Sequence, residues 1–163
     1  MAIFKTCNGG HKYFDSDARR IVINYELRPA KAIHKLYSSN VPDVYDAPEI
    51  MDNTAIHFKK QYGVMLHHYI VSFEPYEVSD PLVVYEIGQE LASFFYPEYE
   101  TVFAVHEDKH HLHIHIVTNS VSYTDGHKYL GKRKDSAALK SYITKTLIKY
   151  GIYHVNYIYK SKQ

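Results

Sequence analysis

The sequence predicts an α+β fold, in which an antiparallel sheet of about five strands carries its helices mainly on one face. Apolar and polar residues alternate in five segments, as they do in half-buried strands: residues 3–6, 64–73, 102–105, 112–117 and 153–159. Apolar residues recur at helical spacing in three longer segments: residues 16–27, 79–96 and 135–150. Strands and helices that alternate irregularly along the chain are typical of this fold class.

Local signals set the boundaries of the first helix, residues 16–27. Asp15 or Ser16 is expected to serve as its N-cap, because a short polar side chain can accept a hydrogen bond from the first turn. Pro29 disfavours helical geometry at Arg28, so the helix is expected to end just before that residue.

The segments after this helix are less regular. We expect a short helix at residues 30–37, then a polar loop through Asn53, and then a helix fragment that ends at about Tyr62. Farther along the chain, the pair Asp125-Gly126 predicts the turn of a hairpin, because both residues tolerate the left-handed backbone that tight hairpin turns require.

The two later helices carry terminal signals of their own. Pro81 suits the first turn of the second long helix, with Ser79 or Asp80 as its N-cap. Gly151 follows the last helix and is expected to adopt the left-handed conformation that ends many helices.

Length and composition are those of a single domain that spans residues 1–163. With 163 residues, 45% of them hydrophobic, the chain can bury an adequate core without metals or disulfides to stabilise it. The single Cys7 excludes an internal disulfide framework and suits a reducing compartment. The sequence contains neither a run of about 18 apolar residues nor a signal-peptide pattern, so we expect a cytoplasmic location and no membrane segment.

The most informative feature is a histidine cluster, with five histidines among residues 106–115. In a strand at 112–117, His113 and His115 share one face while the apolar residues occupy the other. Imidazoles one repeat apart lie roughly 6 to 7 Å apart at the backbone, which is close enough to share a metal ion, and His106 would return as a third ligand. Three nitrogen ligands leave coordination positions open, as in catalytic metal sites. The alternative is a polar sheet face that binds metal adventitiously.

The flanks of this cluster carry a family resemblance. Residues 105–121, which read VHEDKHHLHIHIVTNSV, closely resemble the three-histidine motif of plasmid mobilization (MobA/MobL) relaxases, members of the HUH endonucleases. Residues 68–75 resemble the strand that precedes the motif in that family, residues 86–91 its intervening helix, and residues 123–129 its following hairpin. The resemblance covers about residues 1–150 and implies the palm-like architecture of HUH endonucleases.

The resemblance also implies a tyrosine nucleophile in a helix near the N-terminus, and Tyr25 stands in the matching segment. In that helix Ala18, Ile21, Val22 and Tyr25 fall on one face, so the Tyr25 side chain is expected to point toward the sheet. The same spacing fits an ordinary core residue. Three further tyrosines are weaker candidates for the nucleophile: Tyr13, Tyr37 and Tyr45.

By resemblance, the activity is that of a relaxase. The expected cofactor is a divalent metal, Mn or Mg, bound by His106, His113 and His115. Tyr25 would attack one phosphate of single-stranded DNA at an origin of transfer, and the product would be a 5′-phosphotyrosine that later permits strand rejoining. The expected partners in conjugation are an accessory DNA-binding protein and a coupling protein.

Several more residues are candidates around this site. Asp108 could orient an imidazole through its second nitrogen or stabilise the turn between two strands. His111 is expected to contact a metal ligand without binding the metal itself, or to face DNA. Glu74, like Glu77, could help to deprotonate the tyrosine. Asn119 could bind a phosphate or cap a turn. His110 is expected to be an exposed turn residue, and either His67 or His68 could face the site, although a satisfied sheet histidine suits both.

Charge gives weaker guidance on DNA binding. The net charge of +1 argues against a broad nonspecific groove. Local basic residues near aromatic rings nevertheless suit a single strand, whose bases stack on rings while cations meet phosphates. The candidates are Arg28, Lys31, Lys128, Lys132, Arg133 and Lys134. For each of them a solvated surface position is the alternative.

The sequence leaves two other functions open. One is an HUH rolling-circle replication initiator or transposase, in which the tyrosine follows the histidines and Tyr142 would serve. The other is a catalytically silent module that binds DNA or metal. Relaxases usually continue into C-terminal regions, so the chain is expected to be either an isolated nuclease domain, such as the N-terminal part of a longer protein, or a minimal protein.

Overall fold

The computed structural model describes residues 1–7, 11–108 and 111–159. Its strands are β1 (Ala2–Cys7), β2 (Ala32–Ser39), β3 (Leu66–Phe73), β4 (Thr101–Asp108), β5 (His111–Asn119) and β6 (Val155–Tyr159). Its helices are α1 (Ala18–Glu26), α2 (Ala47–His57), α3 (Pro81–Ala92) and α4 (Arg133–Ile148), with 3-10 turns at His11–Tyr13 and Val44–Asp46. Among these residues, no helix is long and apolar enough to cross a membrane.

The strands form one mixed sheet of six, in the order β2-β4-β5-β3-β1-β6. All neighbouring strands are antiparallel except β1 and β6, which pair in parallel after α4 has carried the chain back along the sheet. The α+β class is confirmed, but the sheet has six strands rather than about five. β4 and β5 lie near its centre, so the histidine cluster has strands on both sides.

The additional strand is β2, where the prediction of a short helix at residues 30–37 is wrong. This segment pairs with β4, for example Ser39 with Val102, and it contains a register shift and a left-handed Lys35 with φ of 64°. Pairing along the edge of a sheet stabilises a strand that local spacing does not reveal. The loop predicted through Asn53 is also wrong, because α2 begins at Ala47.

The two faces of the sheet carry different helices. The larger core lies under α3 and α4, where Phe4, Val71, Phe103 and Ile114 are buried. The opposite face carries α1 and α2 over a smaller cluster that includes Ala104 and Val117. The odd-numbered histidines of β5 lie on this second face because side chains alternate along a strand.

Several predicted termini agree with the structure and one does not. Asp80 caps α3 by accepting a hydrogen bond from Leu82 N at 2.9 Å, and Gly151 after α4 has a positive φ of 78°. The predicted hairpin at Asp125-Gly126 is present as an antiparallel bridge between Val121 and Lys128. The N-cap of α1, however, is Asp17 rather than Asp15 or Ser16.

Gly88 allows α3 to approach the sheet closely. A Cβ added there would lie 2.7 Å from the ring of Phe103, which is fully buried in β4. We therefore predict that Gly88→Ala lowers the free energy of unfolding by about 1–3 kcal/mol, because overpacking outweighs the better helix propensity of alanine. Urea denaturation measures this, with Leu82→Ala at an exposed position of α3 as the control. Equal or greater stability of Gly88→Ala would contradict this packing.

Candidate active site

The hairpin of β4 and β5 brings three predicted histidines together. His106 lies opposite His113 in the ladder, and His115 lies opposite Ala104 one repeat away. The ring centroids are 4.2 Å apart for His106 and His115, 5.0 Å for His113 and His115, and 5.3 Å for His106 and His113. One ring nitrogen of each lies within 4.8 Å of the others, a spacing that could hold one metal ion.

The electrostatics of the cluster suit metal binding. Burial lowers the pKa of His106 to about 4, and it also lowers the pKa values of His113 and His115 below the ordinary value for histidine. The rings are therefore neutral at physiological pH. Neutral imidazole is the form that coordinates a metal.

The last residue of α1, Glu26, touches two of these histidines. Nε2 of His106 donates a hydrogen bond to the Glu26 carbonyl at 2.7 Å, and Nδ1 of His115 lies 3.0 Å from Oε2 of its carboxylate. Only 6% of Glu26 is exposed, and burial raises the pKa of its carboxyl to about 7. Oε2 is buried without a hydrogen-bond partner among the described residues. A buried carboxylate oxygen beside imidazoles fits a site made for a cation.

Sequence reasoning missed Glu26 because it misplaced the buried face of α1. The predicted face included Ile21 and Tyr25, but both are about half exposed. The buried face instead contains Arg19 and Glu26, two charged residues seven positions apart. Residues seven positions apart lie on the same side of a helix, so this charged pair was the feature of the sequence that could have indicated the buried face.

Tyr25 lies at the rim of the cleft that the histidines line. Its ring does not point into the sheet as expected, since 47% of the residue is exposed. The same cleft is lined by Glu26, Ala30, Lys31, His106, Glu107, Asp108, His113 and His115. The Arg28 guanidinium carbon lies 4.2 Å from the centroid of the Tyr25 ring. The tyrosine, two of the basic candidates and the histidines therefore meet at one cleft.

His68 extends the cluster beneath the cleft. Its Nε2 lies 2.9 Å from Nδ1 of His115 and 3.7 Å from Oε1 of Glu26, while its Nδ1 lies 3.1 Å from the Tyr13 hydroxyl. Burial lowers the pKa of His68 to about 3. His67 belongs to the opposite face, where its Nε2 donates to the Tyr129 carbonyl. Of the two neighbouring histidines, His68 is the one that faces the site.

The acidic candidates lie at the open end of the cluster. Asp108 is exposed at the end of β4 and lines the same cleft as Tyr25. The carboxylate beside a ring of the cluster is that of Glu26, whose Oε2 lies 3.0 Å from Nδ1 of His115. His111 shares the strand face of His113, and its Nδ1 lies 3.7 Å from Oε2 of Glu74. His110 lies outside the described residues.

Asn119 is fully buried and far along β5 from the cleft. Its Oδ1 accepts a hydrogen bond from Arg19 Nε at 3.0 Å and another from Val121 N at 3.3 Å. The second bond is of the kind that caps a turn, and the phosphate-binding role of Asn119 stays a prediction. Arg19 also forms an ion pair of 2.9 Å with Asp52, which ties α1 to α2.

The remaining basic candidates lie elsewhere. Nζ of Lys128 donates to the Val64 carbonyl at 3.1 Å and lies 4.8 Å from the centroid of the Tyr62 ring, beyond the other end of β3. Lys132, Arg133 and Lys134 are exposed at the start of α4. The structure brings Lys31 to the cleft and Arg28 to the Tyr25 ring at its rim, but it brings none of these four there.

The other candidate tyrosines are engaged away from the cleft rim. Tyr13 is buried against His68, and the hydroxyls of Tyr37 and Tyr45 lie 3.3 Å apart. Tyr142 packs against the core on the opposite face, where its hydroxyl donates to the Glu90 carbonyl at 2.8 Å.

Comparison with known proteins identifies the family. Residues 25–152 match the model of the MobA/VirD2-like relaxase nuclease domain. The protein rlx of Staphylococcus aureus is 37% identical over 98 residues, which is 60% of this chain and 30% of that protein. The group II intron-interrupted relaxase LtrB of Lactococcus lactis subsp. cremoris is 37% identical over 89 residues, 54% of this chain and 15% of that protein. The matched part thus spans less than a third of either relative. Since the family match runs from Tyr25 through His106, His113 and His115 and past the end of α4, the chain belongs to the MobA/VirD2-like relaxases.

Proposed function

We propose that this chain nicks single-stranded DNA at an origin of transfer and later rejoins it, in the mobilization of a conjugative plasmid. Tyr25 attacks the scissile phosphate and becomes a 5′-phosphotyrosine, leaving a free 3′-hydroxyl on the other end. The observation that carries the proposal is the convergence of Tyr25 and the three histidines on one cleft, although they come from α1, β4 and β5. The phosphotyrosine ester retains the energy of the broken bond, so rejoining needs no nucleotide cofactor.

The histidines His106, His113 and His115 would hold a divalent ion, Mn or Mg. When bound, such an ion polarises a non-bridging phosphate oxygen and offsets charge that develops in the transition state. The neutral rings and the buried, unpartnered Oε2 of Glu26 fit this role.

Glu26 would orient two of these ligands. Nε2–H of His106 donates a hydrogen bond to the Glu26 carbonyl, which leaves the lone pair of Nδ1 free to bind a metal ion. Nδ1 of His115 lies 2.9 Å from Nε2 of His68 and 3.0 Å from Oε2 of Glu26, so a proton held on Nδ1 in this polar setting leaves Nε2 of that ring free. Because Glu26 follows Tyr25 directly, the contacts that fix the ligands also fix the helix end that carries the nucleophile.

Arg28 would assist Tyr25. The Arg28 guanidinium lies over the Tyr25 ring, a contact that holds the nucleophile at the rim of the cleft. Arg28 and Lys31 are also placed to meet the phosphates on either side of the reacting one, since Lys31 lines the same cleft.

The structure gives less support to the two other functions. A rolling-circle initiator or transposase would need Tyr142, but that residue lies on the opposite face of the sheet from His113. A silent module would not require a tyrosine beside the histidines. An accessory DNA-binding protein and a coupling protein are the partners we propose for transfer in the cell, where the reaction would be cytoplasmic.

The first prediction concerns the nucleophile. The protein, mixed with a diverse single-stranded DNA library and Mn²⁺, is expected to yield a protein-DNA adduct that survives denaturation. Tyr25→Phe and a chelator should each abolish it, because both the hydroxyl and the ion are required. Tyr142→Phe is the matched control and should retain the adduct. An adduct that persists in Tyr25→Phe would show that another residue is the nucleophile. A loss confined to Tyr142→Phe would favour a rolling-circle initiator or transposase.

The second prediction concerns Glu26. Glu26→Gln is expected to weaken Mn²⁺ binding, measured by calorimetry without DNA, by about 10-fold or more, because the ring of His115 loses its carboxylate partner. Glu107→Gln, in an exposed residue of the same cleft, is the control and should bind Mn²⁺ as the parent does.

Stability without metal separates this role from a merely structural one. The pKa of Glu26 is raised to about 7, so the folded parent holds a proton that the unfolded chain releases near pH 4.5, and the parent loses stability as the pH rises between these values. Glu26→Gln cannot titrate. In chelator at pH 8 it should therefore be at least as stable to urea as the parent. Unchanged Mn²⁺ affinity together with lower stability at pH 8 would contradict the orienting role.

A further inference from the structure

A second group of potential metal ligands lies directly beneath the cleft: Glu26, His68 and His115. Of these, only His115 also belongs to the cluster proposed for the nuclease ion. Glu26 and His68 are both less than a tenth exposed. Because Glu26 and His115 line the floor of the cleft, an ion could enter from there.

The donor atoms of these residues, counting both carboxylate oxygens of Glu26, have separations on either side of the value for tetrahedral zinc. Nδ1 of His115 is 2.9 Å from Nε2 of His68 and 3.0 Å from Oε2 of Glu26, and Nε2 of His68 is 3.7 Å from Oε1 of Glu26. With bonds of about 2.0–2.1 Å to zinc, neighbouring donors of a tetrahedron are about 3.3 Å apart. Two histidines and one glutamate are also a recurrent zinc-binding set with one open position.

Two further contacts fit a cation at this place. Oε2 of Glu26 is buried and has no hydrogen-bond partner among the described residues. Nδ1 of His68 lies 3.1 Å from the Tyr13 hydroxyl, so it can donate its proton there and leave the lone pair of Nε2 directed at His115. We propose that Glu26, His68 and His115 form a deep zinc site, in which the ion replaces the proton that otherwise lies between the two rings.

Zinc in the deep site would exclude an ion from the open cluster. An imidazole that gives Nδ1 to one ion keeps its proton on Nε2 at neutral pH and cannot ligate a second ion there. His115 can therefore serve His68 and Glu26, or His106 and His113, but not both. If the proposed nuclease function holds, zinc would act as an antagonist of Mn²⁺-dependent nicking, and this consequence alone rests on that function.

Two single variants separate the sites, since His68 belongs only to the deep group and His113 only to the open one. Zinc affinity is measured by chelator competition on the whole chain without DNA, at pH 7.5. His113→Ala should bind zinc within about 3-fold of the parent, whereas His68→Ala should lose at least about 10-fold. Parent-like affinity in His68→Ala, or a loss in His113→Ala that equals or exceeds the loss in His68→Ala, would overturn the deep site.

A direct observation covers the case in which His68→Ala does not fold. Crystals of the parent protein with zinc alone give an anomalous peak at the zinc edge. A peak among Glu26, His68 and His115 supports the proposal, and a peak only among His106, His113 and His115 overturns it. Neither experiment involves Tyr25 or DNA, so a failed nicking assay and a failed deep site remain distinguishable.

Discussion

The packing of α1 against the histidine face of the sheet is the constraint on which the site depends. Glu26 ends this helix with its carbonyl on Nε2 of His106 and its carboxylate beside Nδ1 of His115. Burying a carboxylate is costly unless polar or charged partners surround it, so this contact tolerates little displacement. Tyr25, one residue earlier, is held at the rim of the cleft by the same packing, which ties the position of the proposed nucleophile to the geometry of the histidine cluster.

The other end of α1 is fixed by a separate polar network. Arg19, itself buried, bonds Asn119 of β5 and Asp52 of α2, while Asn119 also faces Glu100 at 3.4 Å. Burial lowers the pKa of Arg19, although Asp52 favours its charge. Charged groups at both ends of a short helix specify its position more sharply than apolar packing, because a shift of one residue would leave a buried charge unpaired. The apolar residues between them, Val22 and Ile23, supply the burial.

The sequence predicts the centre of this molecule better than its edges. The alternation of β5 revealed both the core face and the histidine face, because the side-chain period of a strand is fixed by its geometry. β2 could not be predicted, since the register of this strand depends on pairing with β4 and its own spacing suits a helix. Asn119 lies on the expected face, but only the packing of α1 and α2 reveals that it is buried. Glu26 could not be predicted as a buried site residue, because the packing of α1 on the sheet decides which face of this helix is buried.

In the proposed site, Tyr25 lies beside the ion that His106, His113 and His115 would hold. ¹⁹F NMR of the protein labelled with 3-fluorotyrosine tests it, with the Tyr25 signal assigned by its absence in Tyr25→Phe. Stoichiometric Mn²⁺ should broaden the Tyr25 signal beyond detection, diamagnetic Mg²⁺ should not, and the signal of exposed Tyr153 beside β6 should survive. A sharp Tyr25 signal in protein with Mn²⁺ bound would contradict the claim.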